Sequence, residues 1–209
     1  MKKGIFIVLE GGEGAGKSTV ASFLRHSLSG KEFLITRAGE SPFGENLRAL
    51  FVSDDADKAS PESRFALTWA AQADHTHHIV VPALAAGQHV ISDRFDASIF
   101  AYQVCGEEAP HMAKLFWDTR ATLLRETTPD LYIFLDVSVE DGFARLKAHG
   151  KKLDHFERRP RDFHERVREG YKEFFTNVPH IVVDASRPLE DVQKNVLNHI
   201  QEFISKSKK

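Results

Sequence analysis

The run Phe6-Ile7-Val8-Leu9 breaks through Glu10 into Gly11-Gly12-Glu13-Gly14-Ala15-Gly16-Lys17-Ser18-Thr19, and no other stretch constrains this chain so tightly. Gly11, four residues, then Gly16, Lys17 and Ser18 match G-x-x-x-x-G-K-[ST]. In that pattern glycines let successive backbone N–H groups curl toward an anion, which a side chain would obstruct. Lys17 can reach the outer phosphates as a point charge and the Ser18 hydroxyl can hold Mg2+, while a helix that follows aims its positive end at the same phosphates. The context agrees: β-branched residues precede the turn, and Val20, Phe23, Leu24 and Leu28 recur after it at helical spacing. The alternative is a bare glycine turn between two core elements.

At 209 residues the chain fits one domain, 1–209, with a good-sized core. Its 28 Lys+Arg stand against 30 Asp+Glu, so no overall basic field suggests a nucleic-acid partner, and any polyanion site must be local. The single cysteine, Cys105, excludes an internal disulfide framework and suits a reducing compartment. Met1-Lys2-Lys3-Gly4 leads straight into the first strand, with no signal core, and no apolar run approaches membrane-spanning length. A cytoplasmic protein with no membrane partner is expected.

Strands are expected over about 4–10, 33–36, 88–92, 131–135 and 180–184. Helices are expected over about 16–29, 44–52, 95–102, 109–126, 138–148, 162–175 and 188–204, with a long one opening at Pro61 and interrupted by Pro82. Residues 53–61 read as a surface loop, and the charged stretch at about 149–161 as a mobile lid. Strands alternating with helices imply an α/β fold: a three-layer P-loop NTPase sandwich whose five-stranded parallel sheet carries helices on both faces. Ligands in such a sheet bind beyond the carboxyl ends of the strands. That rule gathers Gly11 to Ser18, Arg37, Asp93-Arg94 and Asp184-Ala185-Ser186 along one cleft.

A guanine-reading Asn-Lys-x-Asp is absent, and strand 4 leads into Asp136-Val137-Ser138-Val139-Glu140, which does not suit a GTPase. Arg37, Arg48 and Arg94 stand where a second anion would meet a triphosphate, and the lid adds Lys151, Lys152, Arg158, Arg159 and Arg161. A phosphate acceptor is already ionised at neutral pH, because its second pKa lies near ~6, and so needs no general base. What it needs is positive charge and a cover that excludes water.

Three strings closely resemble the thymidylate kinase family: Leu9 to Thr19, Asp93-Arg94-Phe95-Asp96-Ala97-Ser98 through Ala101-Tyr102-Gln103, and Pro129-Asp130-Leu131 to Leu135-Asp136-Val137. The resemblance spans nearly the whole chain and implies transfer of the terminal phosphate of ATP onto dTMP. It implies that Gly11, Gly12, Glu13, Gly14, Ala15, Gly16, Lys17, Ser18 and Thr19 hold the ATP phosphates, with Ser18 and, through water, Asp93 placing magnesium. Glu13 would approach the acceptor sugar, and Arg48 and Arg94 the acceptor phosphate, with Arg94 reaching the transferred group, while Arg37 and Ser98 are further candidates to bind the acceptor. Gln103 would touch the acceptor base, and Arg145 would stack on adenine opposite Ala185-Ser186-Arg187. A homodimer through the helices flanking strand 3 is also implied. Gly14 excludes a catalytic arginine in the loop, so the lid must supply one, as Arg158 or Arg159, because Leu153-Asp154-His155 stands where relatives often read Leu-Asp-Arg.

The chain departs from the family on the long helix, where relatives carry a phenylalanine and then an arginine against the base. Thr68 and Gln72 occupy those positions. Phe65 and Trp69 lie within a turn and are candidates to supply a ring. The Gln72 amide suits a cytosine edge as well as a thymine edge. His75, His77 and His78 follow on the same helix and read as a half-exposed surface, because no third ligand joins them. Two other readings stay open. One is a kinase of another pyrimidine nucleotide, or of a nucleoside with Glu10 or Asp93 as base. The other is a non-catalytic nucleotide-binding module.

Overall fold

The computed structural model describes residues 4–28, 30, 32–53, 55–148, 150 and 156–207. Five parallel strands, β1 (Phe6–Gly11), β2 (Phe33–Arg37), β3 (His89–Asp93), β4 (Leu131–Asp136) and β5 (His180–Asp184), form one sheet in the order β2-β3-β1-β4-β5. The central strand pairs Leu9 with Asp93 on one side and with Ile133 on the other, bringing the loop after β1 beside the end of β3.

Alternation along the strands builds two cores. Phe6, Val8, Tyr132 and Phe134 face one side, under α3 (Pro61–His75), α5 (Asp96–Ile99), α6 (Ala113–Leu124) and α8 (Arg161–Phe175). Ile7, Leu9, Ile133 and Leu135 face the other, under α1 (Lys17–Ser27) and α9 (Leu189–Ser207). This is why β1 and β4 are apolar throughout: both faces are covered, and each such side chain contributes about 1.5–3 kcal/mol on burial. Polar groups set the edges. The Asp130 carboxylate accepts from the Phe6 amide at 2.7 Å, and buried Asp96 accepts from Tyr132 Oη and Arg120 Nε.

Several elements differ from their sequence reading. The helix does not stop before Pro82. After α3, a π turn (Thr76–Val80) in which the Val81 amide donates to the Thr76 carbonyl carries the chain into α4 (Val81–Ala85). The wider turn accommodates a residue whose ring would otherwise meet the carbonyl four positions back. The 53–61 stretch carries a short 3-10 turn (Ala56–Lys58) with Ala56 buried, its carbonyl taken by Arg64. His75 is not half-exposed. It is fully buried, with Nε2 2.9 Å from Thr36 Oγ1. The remaining helices are α2 (Pro42–Phe51) and α7 (Val139–Ala148), whose N-terminus is capped as expected by Ser138 Oγ accepting from the Asp141 amide. Among the described residues no helix is long and apolar enough to cross a membrane.

Candidate active site

A cavity of about 820 Å³ runs along the carboxyl edge of the sheet. Four post-strand segments form its floor: Glu13–Thr19 after β1, Arg37–Gly39 after β2, Asp93–Phe95 after β3, and Ala185–Leu189 after β5. Helices α2 and α3 wall one end.

Gly16 adopts a left-handed backbone, φ +86°, and caps α1 without any side-chain acceptor. Its helix therefore presents unpaired amides and a positive dipole to the cavity. Gly14, φ +70°, has no room for any side chain, because a Cβ would lie 2.2 Å from the Gly142 carbonyl oxygen. The loop thus packs backbone to backbone against α7. Lys17 is buried, its Nζ donating to the Gly12 carbonyl at 2.6 Å, and burial first, then Arg94, lowers its pKa to about 8. Ser18 Oγ donates to Asp93 Oδ2 at 3.0 Å, so a hydroxyl and a carboxylate stand side by side where the loop meets β3. Two hard oxygen groups of this kind fit Mg2+, which keeps several of its waters.

Arg94 occupies a left-handed conformation, φ +67°, that a non-glycine side chain adopts at a cost of about 1–3 kcal/mol. Its amide donates to the Leu9 carbonyl at 2.9 Å, holding the turn against β1. Its guanidinium donates to Glu13 Oε1 at 2.6 Å, Tyr171 Oη at 3.1 Å, Ser98 Oγ at 3.2 Å and Tyr102 Oη at 3.3 Å. Burial pushes the Glu13 carboxyl up, but Arg94, Lys17 and the Tyr102 hydroxyl outweigh it and bring the pKa down to about 2. Beneath them Glu10 is fully buried and accepts from the Phe95 and Ser98 amides, Ser98 Oγ and Tyr171 Oη. Burial raises its pKa to about 7 against the pull of Arg94.

At the opposite ends lie the remaining groups. Arg145 Nη2 donates to the Ala185 carbonyl at 2.8 Å, which sets its guanidinium beside the loop after β5. Arg48, Thr68, Gln72 and Gln103 all line the other end, as does Arg37, which pairs with Glu45 on α2. Phe65 and Trp69 do not join them. Both are buried in the core, edge to face at 6.3 Å. The rings that do line the cavity are Phe51, Phe95, Tyr102 and Phe156, with Phe51 and Phe156 4.9 Å apart.

A model of the thymidylate kinase family matches residues 9–196. The chain belongs to the thymidylate kinase family. Thymidylate kinases of Alkalilimnicola ehrlichii and Caulobacter vibrioides are each 40% identical to it, over 92% of this chain and 90% and 93% of theirs. The crystal structure of thymidylate kinase from Ehrlichia chaffeensis matches with a TM-score of 0.75 over 95% of this chain and 99% of that one, at 22% identity, a likeness of fold.

The lid expected over about 149–161 falls partly outside the described residues. His149, Lys151, Lys152, Leu153, Asp154 and His155 lie outside the described residues. Of the described lid arginines, Arg159 lies against Glu107 at 2.5 Å and over the Phe163 ring at 4.9 Å, and Arg161 pairs with Glu165 on α8. Neither Arg158 nor Arg159 lines the cavity. Sequence reasoning missed Tyr102 and Tyr171 as partners of Arg94, and Phe51 and Phe156 as cavity walls. Tyr102 had a signal, since it sits in the string that follows Arg94. Tyr171 is 77 residues away, and nothing local marks it.

Proposed function

We propose that this chain transfers the γ-phosphate of ATP to dTMP, giving ADP and dTDP. The observation that carries the reading is the convergence of Lys17, the Ser18–Asp93 pair and the Arg94 guanidinium on one cavity of about 820 Å³. Backbone amides of residues 11–19 would cradle the triphosphate, and Lys17 would neutralise its outer oxygens. Ser18 and, through water, Asp93 would hold Mg2+, which supplies charge neutralisation to the phosphates when bound. Arg94, with Arg48 and Arg37, would orient the acceptor phosphate, while Ser98 fixes Arg94. Glu13 would meet the acceptor sugar, and Gln103, Gln72 and Thr68 line the base end. Arg145 and the 185–187 loop would bracket adenine, and Arg158 or Arg159 would close over the transferred group.

A nucleoside acceptor would need a general base. Glu10 already accepts four hydrogen bonds, and Asp93 is held by Ser18, which counts against that reading. Exposed Leu115 and Leu123 on α6 and Val81 on α4 support a homodimer, working in the cytoplasm where its nucleotides are. The test is incubation with Mg-ATP and dTMP or thymidine, following nucleotides chromatographically. dTDP formation, abolished by Lys17→Ala, is the expected result. Phosphorylation of thymidine alone overturns it.

A further inference from the structure

Two amide side chains at the acceptor end of the cavity are held differently, and the difference bears on which base they accept. Thr76 Oγ1 donates its only proton to the backbone carbonyl of Gln72 at 2.8 Å. Toward Gln72 Nε2, 3.3 Å away, the same oxygen can therefore only accept. That fixes the Gln72 amide: its NH₂ faces Thr76, and its carbonyl oxygen is left as an oriented acceptor on a buried residue of the cavity wall. Gln103 is the opposite case. It is 1% exposed, and neither its Oε1 nor its Nε2 has a partner among the described residues. A buried amide in that state has spare hydrogen-bonding capacity, and with no partner to pin it, rotation by half a turn interchanges its oxygen and nitrogen.

On helix α3, Gln72 Nε2 keeps a second proton beyond the one given to Thr76. The Thr68 hydroxyl is spent on the Arg64 carbonyl at 2.7 Å. A 4-keto pyrimidine presents an O4 acceptor beside an N3–H donor, whereas a 4-amino pyrimidine presents N4 protons beside an N3 acceptor. The oriented Gln72 oxygen can accept from the N4 protons of the second as well as from the N3–H of the first, and the unpinned Gln103 amide serves either, so the edge of neither base is refused.

We propose that the acceptor pocket admits 4-aminopyrimidine deoxynucleoside monophosphates, of which dCMP is the simplest, alongside the thymine nucleotide, giving the chain a second phosphoryl-transfer activity. This rests on the reading of the cavity as a monophosphate acceptor site. The step is unchanged: an oxygen of the acceptor 5′-phosphate bonds the γ-phosphorus of ATP as the bond to the β–γ bridging oxygen breaks, and ADP leaves with that electron pair.

The full chain is assayed with Mg-ATP and dTMP or dCMP. The expected kcat/KM for dCMP lies within about a hundredfold of that for dTMP, whereas a site committed to one hydrogen-bond pattern rejects the wrong partner by ~10⁴ or more. Turnover of dTMP with dCMP discriminated beyond that hundredfold overturns the proposal and leaves the thymidylate reading standing. Turnover of dCMP alone sustains it and overturns the thymidylate reading, and inertness of both overturns the two together. Thr76→Val keeps the side-chain shape but frees the Gln72 amide to turn. The ratio of dTMP to dCMP kcat/KM is expected to rise several-fold, a change that a purely structural role for Thr76 would not produce. An unchanged ratio overturns the part given to the Gln72 carbonyl. Gln103→Met is expected to lower both kcat/KM values together.

Discussion

The Arg94 guanidinium meets the Glu13 carboxylate at 2.6 Å, although the two residues are 81 positions apart and sit at the ends of different strands. Parallel pairing of β1 with β3 brings them together, with Leu9 opposite Asp93. The pair sits over Tyr102, whose hydroxyl donates to the same Glu13 oxygen at 2.5 Å. A guanidinium with this many fixed acceptors is pre-positioned rather than merely positive. Arg94→Lys retains the charge and loses the fork, so kcat with dTMP is expected to fall by ~10²-fold or more while the thermal midpoint changes little. Steady-state kinetics beside thermal melts check this.

Gly14 has a steric role separate from phosphate binding. Its φ of +70° and the Gly142 carbonyl 2.2 Å from a would-be Cβ leave space for hydrogen only. Gly14→Ala is expected to push the loop off α7, destabilise the fold by ~2 kcal/mol or more and raise the KM for ATP. Gly142→Ala, whose Cβ would meet the Glu13 carbonyl at 2.4 Å, is expected to do the same from the other side. Urea unfolding and ATP titration of both variants measure it.

The fold and the nucleotide loop were legible in the residue order because each depends on local pattern. Val8 and Phe134 report a strand covered on both faces, and Gly16-Lys17-Ser18 reports a turn into a helix. The groups that hold Arg94 were less legible, since Tyr171 meets it, and Glu10 meets Tyr171, only after the strands and α8 have packed. His75 was misread for a related reason. Its neighbours His77 and His78 suggested a polar surface, but Thr36 on β2 lies against it, a contact 39 residues away that no periodicity marks.

That burial gives a pH dependence. Burial brings the His75 pKa down from 6.5 to about 4, so the folded state binds the proton less tightly than the unfolded chain. The folded pKa is depressed, so the stability it contributes is present above about pH 6.5 and is lost as pH falls toward about 4. Linkage gives a loss of ~2 kcal/mol by about pH 5. His75→Gln, which keeps a polar group for Thr36 without a titrating ring, is expected to flatten this part of the profile. Urea unfolding of both proteins at about pH 7.5 and 5 tests the sign.

Glu107 joins two cations, Arg64 Nη2 at 2.8 Å and Arg159 Nη2 at 2.5 Å, with its own side chain only 8% exposed. Arg64 also donates to the Ala56 and Ala59 carbonyls, so this carboxylate ties the lid base to the start of α3. Arg159 is thereby committed to packing, and its guanidinium rests on Phe163. Removing it leaves a buried carboxylate with one partner fewer, and Arg159→Ala is expected to cost ~1–3 kcal/mol of stability. Arg158 is the other lid arginine of which a catalytic part is expected. Arg158→Ala should lower kcat by ~10²-fold with the KM for dTMP nearly unchanged, the signature of a charge felt only in the transition state. The reverse pattern, a kcat loss at Arg159 with an unchanged melting point, would mean that Glu107 releases Arg159 to the phosphates on closure. In that case Glu107→Gln would raise kcat rather than leave it alone.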